Sequence, residues 1–269
     1  MDKILDDIFE ELDGAKWLKC EDRTPDSRSC AECFRLQYFH GNHISYDCIE
    51  KRKLYVLRFF PVHSAENREG LQKISKLVLD NILKYAPIRI LSMGGGPGSD
   101  IYAAIKFLRE HIDDTTLHKI FVTRVDIQPL WDDIANDTIR LAAGDFPLRI
   151  DTLHSDVMHG LETLKNEDDE FDIVLCSYLI SELDTSDLRA LGKRIRSITW
   201  NGGVIIVNDR PENDIEERIR VLFEGAGVNP VEFANNGWGK YIYSPKIANA
   251  LSPKFKMTSK IFIGVKNDH

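Results

Sequence analysis

The sequence predicts a doubly wound α/β fold, a mostly parallel sheet with an antiparallel last strand, and three observations carry that expectation. Short apolar runs recur from residue 87 onward, each followed by a stretch with helical spacing. The first run opens directly into close-set glycines, in Ile90-Leu-Ser-Met-Gly-Gly-Gly-Pro-Gly-Ser-Asp100. The second ends in an acid, in Lys119-Ile-Phe-Val-Thr-Arg-Val-Asp126. Parallel strands are buried on both faces and need helical crossovers, so they read as continuous apolar runs separated by amphipathic segments.

The first β/α unit is the most informative. Residues 87–93 form the strand, and Ile101, Ala104, Ile105 and Leu108 recur on one helical face behind the glycines. Glycine allows a backbone to turn sharply there and a ligand to lie against it. The spacing Gly94-x-Gly96-x-Gly98, with Gly95 inside it, differs from the dinucleotide fingerprint, which would need a glycine at Ser99. A phosphate-binding P-loop is excluded because no Gly-Lys-Ser/Thr follows.

On these residues the chain resembles the class I S-adenosylmethionine-dependent methyltransferases, whose first motif has the form strand, G-x-G-x-G, helix. The resemblance implies a Rossmann-like, seven-stranded sheet, with S-adenosyl-L-methionine lying on Gly94, Gly95, Gly96 and Gly98. It assigns the ribose hydroxyls to Asp126, with Ile127 beside it. It places Asp156 and Val157, after a third strand Leu148–His154, at the adenine. Ser177 closes the fourth strand, Phe171–Ser177, and is expected near the cofactor. A fifth strand, Gly203–Asn208, follows a Trp200-Asn-Gly-Gly turn, and Gly237–Tyr243 with Ile261–Val265 are expected to supply the closing antiparallel pair. The family usually has an acid two positions before the first glycine, where this chain has Ser92. Asp100, just inside the helix, is expected to substitute and to pair with the amino group of the methionine moiety.

Methyl transfer from a sulfonium is a direct displacement, so the protein must align the nucleophile, exclude water and, where the nucleophile carries a proton, remove it. The family reads its acceptor at the carboxyl ends of the fourth and fifth strands. That singles out Ser177, Tyr178, Glu182, Asp184, Asn208, Asp209 and Arg210. Glu182 is the expected base or acceptor anchor, with Tyr178 one helical turn away if a helix starts directly after the strand. His63 and His154 are the alternative proton acceptors. No Asn/Asp-Pro-Pro-Tyr/Phe follows the fourth strand and no Pro-Cys nucleophile is present, which excludes the methylators of exocyclic base amines, glutamine and cytosine C5. A small-molecule acceptor is the first expectation. An RNA or protein acceptor recognised through the N-terminal part is the alternative. A noncatalytic, cofactor-binding assembly factor and a nicotinamide oxidoreductase stay open beside them.

The domain organisation expected is an N-terminal helical and cysteine-rich extension over residues 1–85 and the cofactor-binding domain over 86–269. In the extension, Ile4, Leu5, Ile8, Phe9 and Leu12 make an apolar helical face, and Leu71 to Ile82 suggest a second helix. Lys53-Leu-Tyr-Val-Leu-Arg-Phe-Phe-Pro61 alternates like a strand. Cys20, Cys30, Cys33 and Cys48 cluster here, with His40 and His43 between the last two. Cys30-x-x-Cys33 has the spacing of a zinc half-site that Cys20 and Cys48, or one of the histidines, could complete; free reduced thiols are the other reading. With 269 residues, 43% of them hydrophobic, the chain can bury one sizeable core and an extension. The net charge of -8 argues against a protein held to nucleic acid by its overall field; at Lys51-Arg-Lys53 a local basic face stays open beside the simpler reading of solvated surface. The first segment has no signal-peptide core and no run is long enough to span a bilayer, so a cytoplasmic setting without membrane partners is expected.

Overall fold

The computed structural model describes residues 1–12, 20, 23–24, 26–39, 46–112, 119–164, 170–183, 185–235, 237–238 and 241–267. The chain divides into two compact units, Met1–Val62 with Lys240–Phe255, and His63–Gly239 with Lys256–His269.

The first unit holds α1 (Asp2–Glu10), α2 (Cys30–Phe39), the leading part of α3 (Ile49–Leu71) and a helix over Pro245–Leu251. Leu5 is the buried anchor of α1, and Lys246 reaches Glu10 across 2.8 Å to tie the last helix to the first. A small aromatic core of Phe34, Leu54 and Phe59 gathers Tyr46, Tyr55 and Leu251 around it. Here the structure corrects a sequence expectation: Lys53–Pro61 is not a strand but lies within the 23-residue α3. Leu54, Val56, Leu57, Phe59 and Phe60 are all buried, so the helix has no polar stripe to mark its period, and Pro61 inside it is a residue that ordinarily argues against a helix. The basic triplet is likewise buried rather than solvated. Lys51, Arg52 and Lys53 are each less than a tenth exposed. Lys53 Nζ donates to the Glu11 carbonyl at 2.9 Å, and Arg52 Nη1 donates to the carbonyls of Tyr46 and Asp47.

The second unit begins with the end of α3 and continues through α4 (Lys76–Leu83), capped by Ser75, whose hydroxyl accepts the Val78 amide. There follow β1 (Ile88–Met93), α5 (Ser99–Arg109), β2 (Ile120–Asp126), α6 (Asp132–Ala143), β3 (Leu148–His154), α7 (Val157–Thr163), β4 (Phe171–Ser177), α8 (Leu188–Ile198), β5 (Thr199–Asp209) and α9 (Asn213–Ala226). The chain closes with β6 (Val231–Ala234), β7 (Gly237–Trp238), β8 (Lys256–Met257) and β9 (Lys260–Val265). The main sheet has the order β3-β2-β1-β4-β5-β9-β6; β1 to β5 are parallel, and β9 runs antiparallel between β5 and β6. This is the Rossmann-like, mostly parallel seven-stranded sheet that the sequence predicts. The closing pair differs in one partner from the expectation. β9 pairs with Val231–Ala234, whereas Gly237–Trp238 pairs with Lys256–Met257 in a separate ribbon. Val231-Glu-Phe-Ala is a short edge strand that contributes no fully buried side chain, and so leaves no apolar run to read.

The central strands carry the core. Leu91, Met93, Val125, Val174, Ile205 and Val207 are buried with Ile195, Ile219 and Leu222 from the covering helices. Each such side chain contributes about 1.5–3 kcal/mol through loss of contact with water. Register then positions the site. Met93 pairs with both Val125 and Cys176, and Ser177 pairs with Asn208, so the carboxyl ends of β2, β1, β4 and β5 finish at one edge. The chain order reverses between β1 and β4, and the crevice outside the strand ends at such a reversal is where open α/β sheets take ligands.

Candidate functional site

At that edge the backbone leaves β1 with the Gly94 amide bonded to the Val125 carbonyl at 2.8 Å, and turns within five residues into α5. The Gly98 amide closes the turn onto the Gly95 carbonyl at 2.7 Å. Gly96 sits at φ 45°, and a β-carbon there would meet no protein atom within 4 Å. The loop is therefore built around a left-handed residue whose open side faces unfilled space, which is the geometry a ligand lying on the backbone requires.

Asp126 governs that loop. One carboxylate oxygen, Oδ2, accepts the Gly96 amide at 2.7 Å; the other, Oδ1, accepts the Gln128 amide at 2.8 Å. A carboxylate offers about four lone-pair positions, so two remain for further donors. Ile127, the next residue, is 73% exposed, an apolar surface beside those positions. Arg124 backs the loop from beneath. Its guanidinium is buried, donates from Nη1 to Asp132 at 2.7 Å and reaches the Gly96 carbonyl from Nε at 3.4 Å. Asp132 also shares a 2.7 Å hydrogen bond with His154 Nε2, which places His154 in this support and away from the acceptor end. Asp156 caps α7 by accepting the His159 amide at 3.0 Å and is otherwise exposed, while Val157 is buried in the core.

Ser92 and Asp100 form one buried unit beneath the glycines. The Ser92 hydroxyl donates to Asp100 Oδ2 at 2.7 Å, and Oδ1 accepts the Ile101 amide at 2.8 Å. Burial pushes the Asp100 carboxyl up to about 6, against the lowering effect of those hydrogen bonds and of the Arg124 charge. The acid absent from the strand is thus present in the adjoining helix, bonded to the serine that occupies its place. Its two oxygens accept from the elements on either side of the loop, β1 and α5.

At the carboxyl ends of β4 and β5, two residues that no motif announced, Glu66 and Asn67, join those the sequence singled out. Tyr178 follows β4 at φ 56°, an uncommon conformation for an aromatic residue, with its amide bonded to the Asn208 carbonyl at 2.7 Å. The next residue, Leu179, lies against the α-carbon of Gly94. The Tyr178 ring stacks on His63 with centroids 4.1 Å apart, and its hydroxyl donates to Glu66 Oε2 at 2.8 Å. Glu66 Oε1 accepts the Thr258 amide at 3.1 Å, and Glu66 is fully buried. Asn67 donates to the Ser177 hydroxyl oxygen at 2.9 Å, as does Asn208 at 3.4 Å, leaving the buried Asn208 Oδ1 without a hydrogen-bond partner. Asp209, raised by burial, accepts the amides of Ser181 and Arg210. The spacing His63, Glu66, Asn67 is one helical face, a signal hidden by the strand-like reading of the preceding stretch.

Tyr178 and His63 are therefore brought together, but Glu182 is not. No helix starts directly after β4; residues 180–183 form a turn, and the Glu182 side chain is exposed on it. Asp184 lies outside the described residues. Cys30 opens α2, its thiol pushed up to about 11 by burial first and then by Cys48, Glu50, Cys20 and Cys33, so the four thiols share a neighbourhood. They are free, and among the described residues no three His, Cys, Asp or Glu side chains make a group able to hold a metal ion; His40 and His43 lie outside those residues. Cys176 is buried within β4. No described helix is long and apolar enough to cross a membrane.

No family model matches the chain. No curated protein matches it either. Among solved structures it is similar to an S-adenosylmethionine-dependent methyltransferase from Leishmania major, at 11% identity and TM-score 0.48 over 86% of this chain and 77% of that one. It is also similar to magnesium protoporphyrin IX methyltransferase from Synechocystis, determined with bound S-adenosylmethionine, at 14% identity and TM-score 0.47 over 87% and 90%. A third similar structure is a [4+2]-cyclase, at 18% identity and TM-score 0.46 over 72% and 79%. The chemistry of the site rests on the chain's own residues.

Proposed function

We propose that the protein is an S-adenosylmethionine-dependent methyltransferase acting on a small molecule. The observation that carries this reading is the joint placement of Gly96 and Asp126: an open left-handed glycine whose amide is held by a carboxylate with lone pairs to spare. A nucleoside laid across β1 and β2 meets the glycine backbone along its edge, Asp126 at its sugar and Ile127 at its base. The cofactor supplies an activated methyl group, and the chain's own residues bind it, orient it and exclude water. Tyr178 and Ser177, at the ends of the neighbouring strand, stand where an acceptor would meet that methyl.

The test is calorimetric titration with S-adenosylmethionine, S-adenosylhomocysteine and NADH, followed by incubation with methyl-labelled cofactor and fractionated cell extract. Binding of the first two ligands with labelled small-molecule product is expected. Label appearing in RNA or protein fractions would replace the acceptor class, and binding of NADH alone would remove the reading altogether.

A further inference from the structure

We propose that Tyr178, through Glu66, takes the proton of a phenolic acceptor as the methyl group is transferred. This rests on the transferase reading and goes beyond it by naming the acceptor's chemical class and a residue, Glu66, that acts at a distance from the substrate.

Four observations converge. Tyr178 is held in a left-handed conformation at the carboxyl end of β4, and strain of this kind persists only where the surroundings enforce it. Its ring is fixed by stacking on His63, and its hydroxyl by the 2.8 Å bond to Glu66. Glu66 is itself fixed from the far side by the Thr258 amide, so the carboxylate cannot turn away from the phenol. Asn208 Oδ1, at the end of the adjacent strand, has no hydrogen-bond donor among the described residues. Tyrosine alone is a poor base because its proton leaves only near pH 10. A phenol that hands its own proton to a carboxylate while receiving another has no such limitation.

The step balances. A lone pair on the acceptor oxygen forms the new carbon–oxygen bond, and the carbon–sulfur bond breaks with its pair remaining on sulfur. The acceptor's proton moves to Tyr178 Oη as the Tyr178 proton moves to Glu66 Oε2. The sulfonium and the carboxylate, one positive and one negative, become a neutral thioether and a neutral acid, so charge is annihilated within a buried site rather than created there. Glu66 is a positioning residue and proton sink in this scheme. Tyr178 is the group that touches the substrate.

The experiment compares full-length wild type with Tyr178→Phe and Glu66→Gln. S-adenosylhomocysteine affinity is read by calorimetry, and methyl transfer from labelled cofactor into fractionated extract is followed from about pH 6 to 10. Tyr178→Phe should bind S-adenosylhomocysteine within about threefold of wild type yet transfer methyl at least about 100-fold more slowly near pH 7, the lower bound for loss of a positioned base. Its deficit should narrow as pH rises, because the hydroxyl then ionises unaided; a merely structural loss would not recover. Glu66→Gln should show the same narrowing. Transfer by Tyr178→Phe within about threefold of wild type near pH 7, or a deficit unchanged across the range, overturns the proposal alone. A wild type that binds S-adenosylhomocysteine but labels nothing overturns it together with the transferase reading.

Discussion

Arg124 and Asp126, two residues apart on β2, hold the same residue of the glycine loop: Asp126 Oδ2 accepts the Gly96 amide at 2.7 Å, and Arg124 Nε reaches the Gly96 carbonyl at 3.4 Å. Gly96 is thus gripped at both of its polar groups by one strand. A glycine that could wander through left-handed and right-handed regions is confined without a side chain of its own, and preorganisation of this kind lowers the ordering cost of binding.

Asp126→Ala should weaken S-adenosylhomocysteine binding by about 1–3 kcal/mol, the cost of ribose hydroxyls left unpaired. It should also lower the melting temperature of the ligand-free protein, because the amides of Gly96 and Gln128 lose their acceptor. Calorimetry and a thermal melt on the same sample check both. Unchanged affinity would mean that β2 does not border the cofactor.

Gly96→Ala separates ligand from fold. A β-carbon there meets no protein atom within 4 Å, so the folding penalty should be only the left-handed strain, about 1–2 kcal/mol. Cofactor affinity should fall at least about tenfold, since the methyl group occupies the ligand's ground. A variant that melts slightly lower and binds normally would show that the open space belongs to something else.

Asp100 predicts a pH dependence of stability. Its carboxyl titrates at about 6 in the folded protein, against an ordinary 3.8. The folded state therefore holds this proton more tightly than the unfolded chain, and the contribution to stability grows as pH falls from about 6 toward 4 and is lost as pH rises through 6. The span is on the order of 3 kcal/mol. Asp172, also raised to about 6 by burial, acts in the same direction. Urea midpoints for Asp100→Asn should lose part of this slope between roughly pH 4 and 7, and an identical slope in both proteins would be inconsistent with a buried, titrating Asp100.

Arg124→Met tests the other half of the grip. Arg124 is 1% exposed and its partner Asp132 only 28%, so removing the cation should cost about 3 kcal/mol, the lower end for breaking a buried pair, because Asp132 keeps His154. Affinity for S-adenosylhomocysteine should fall with stability. Loss of stability at constant affinity would show that Arg124 supports the sheet but not the loop.

Much of this was legible in the chain and some was not. β3 and β4 occupy the residues that their patterns outlined, and the glycine loop with the acid ending β2 could be read because each is a local device: a few adjacent residues carry the turn, the strand end and the charge. The same locality failed for α3. A helix buried round its circumference, with Pro61 inside, offers no period to detect, so His63, Glu66 and Asn67 were not recognised as one face. Glu182 was favoured by its place in the sequence, but the turn after β4 leaves it exposed and puts Tyr178 inward instead.

By itself, the sequence determined the five parallel strands, the position of the glycine loop and the acid that holds it, because apolar period, glycine spacing and strand-end charge are properties of short segments. Only the tertiary structure decided which side chains meet at the carboxyl ends of β4 and β5. Tyr178 and Glu66 lie 112 residues apart, and their hydrogen bond exists only because packing brings the end of β4 beside α3. Contacts at that separation depend on how elements pack, and no local pattern records them.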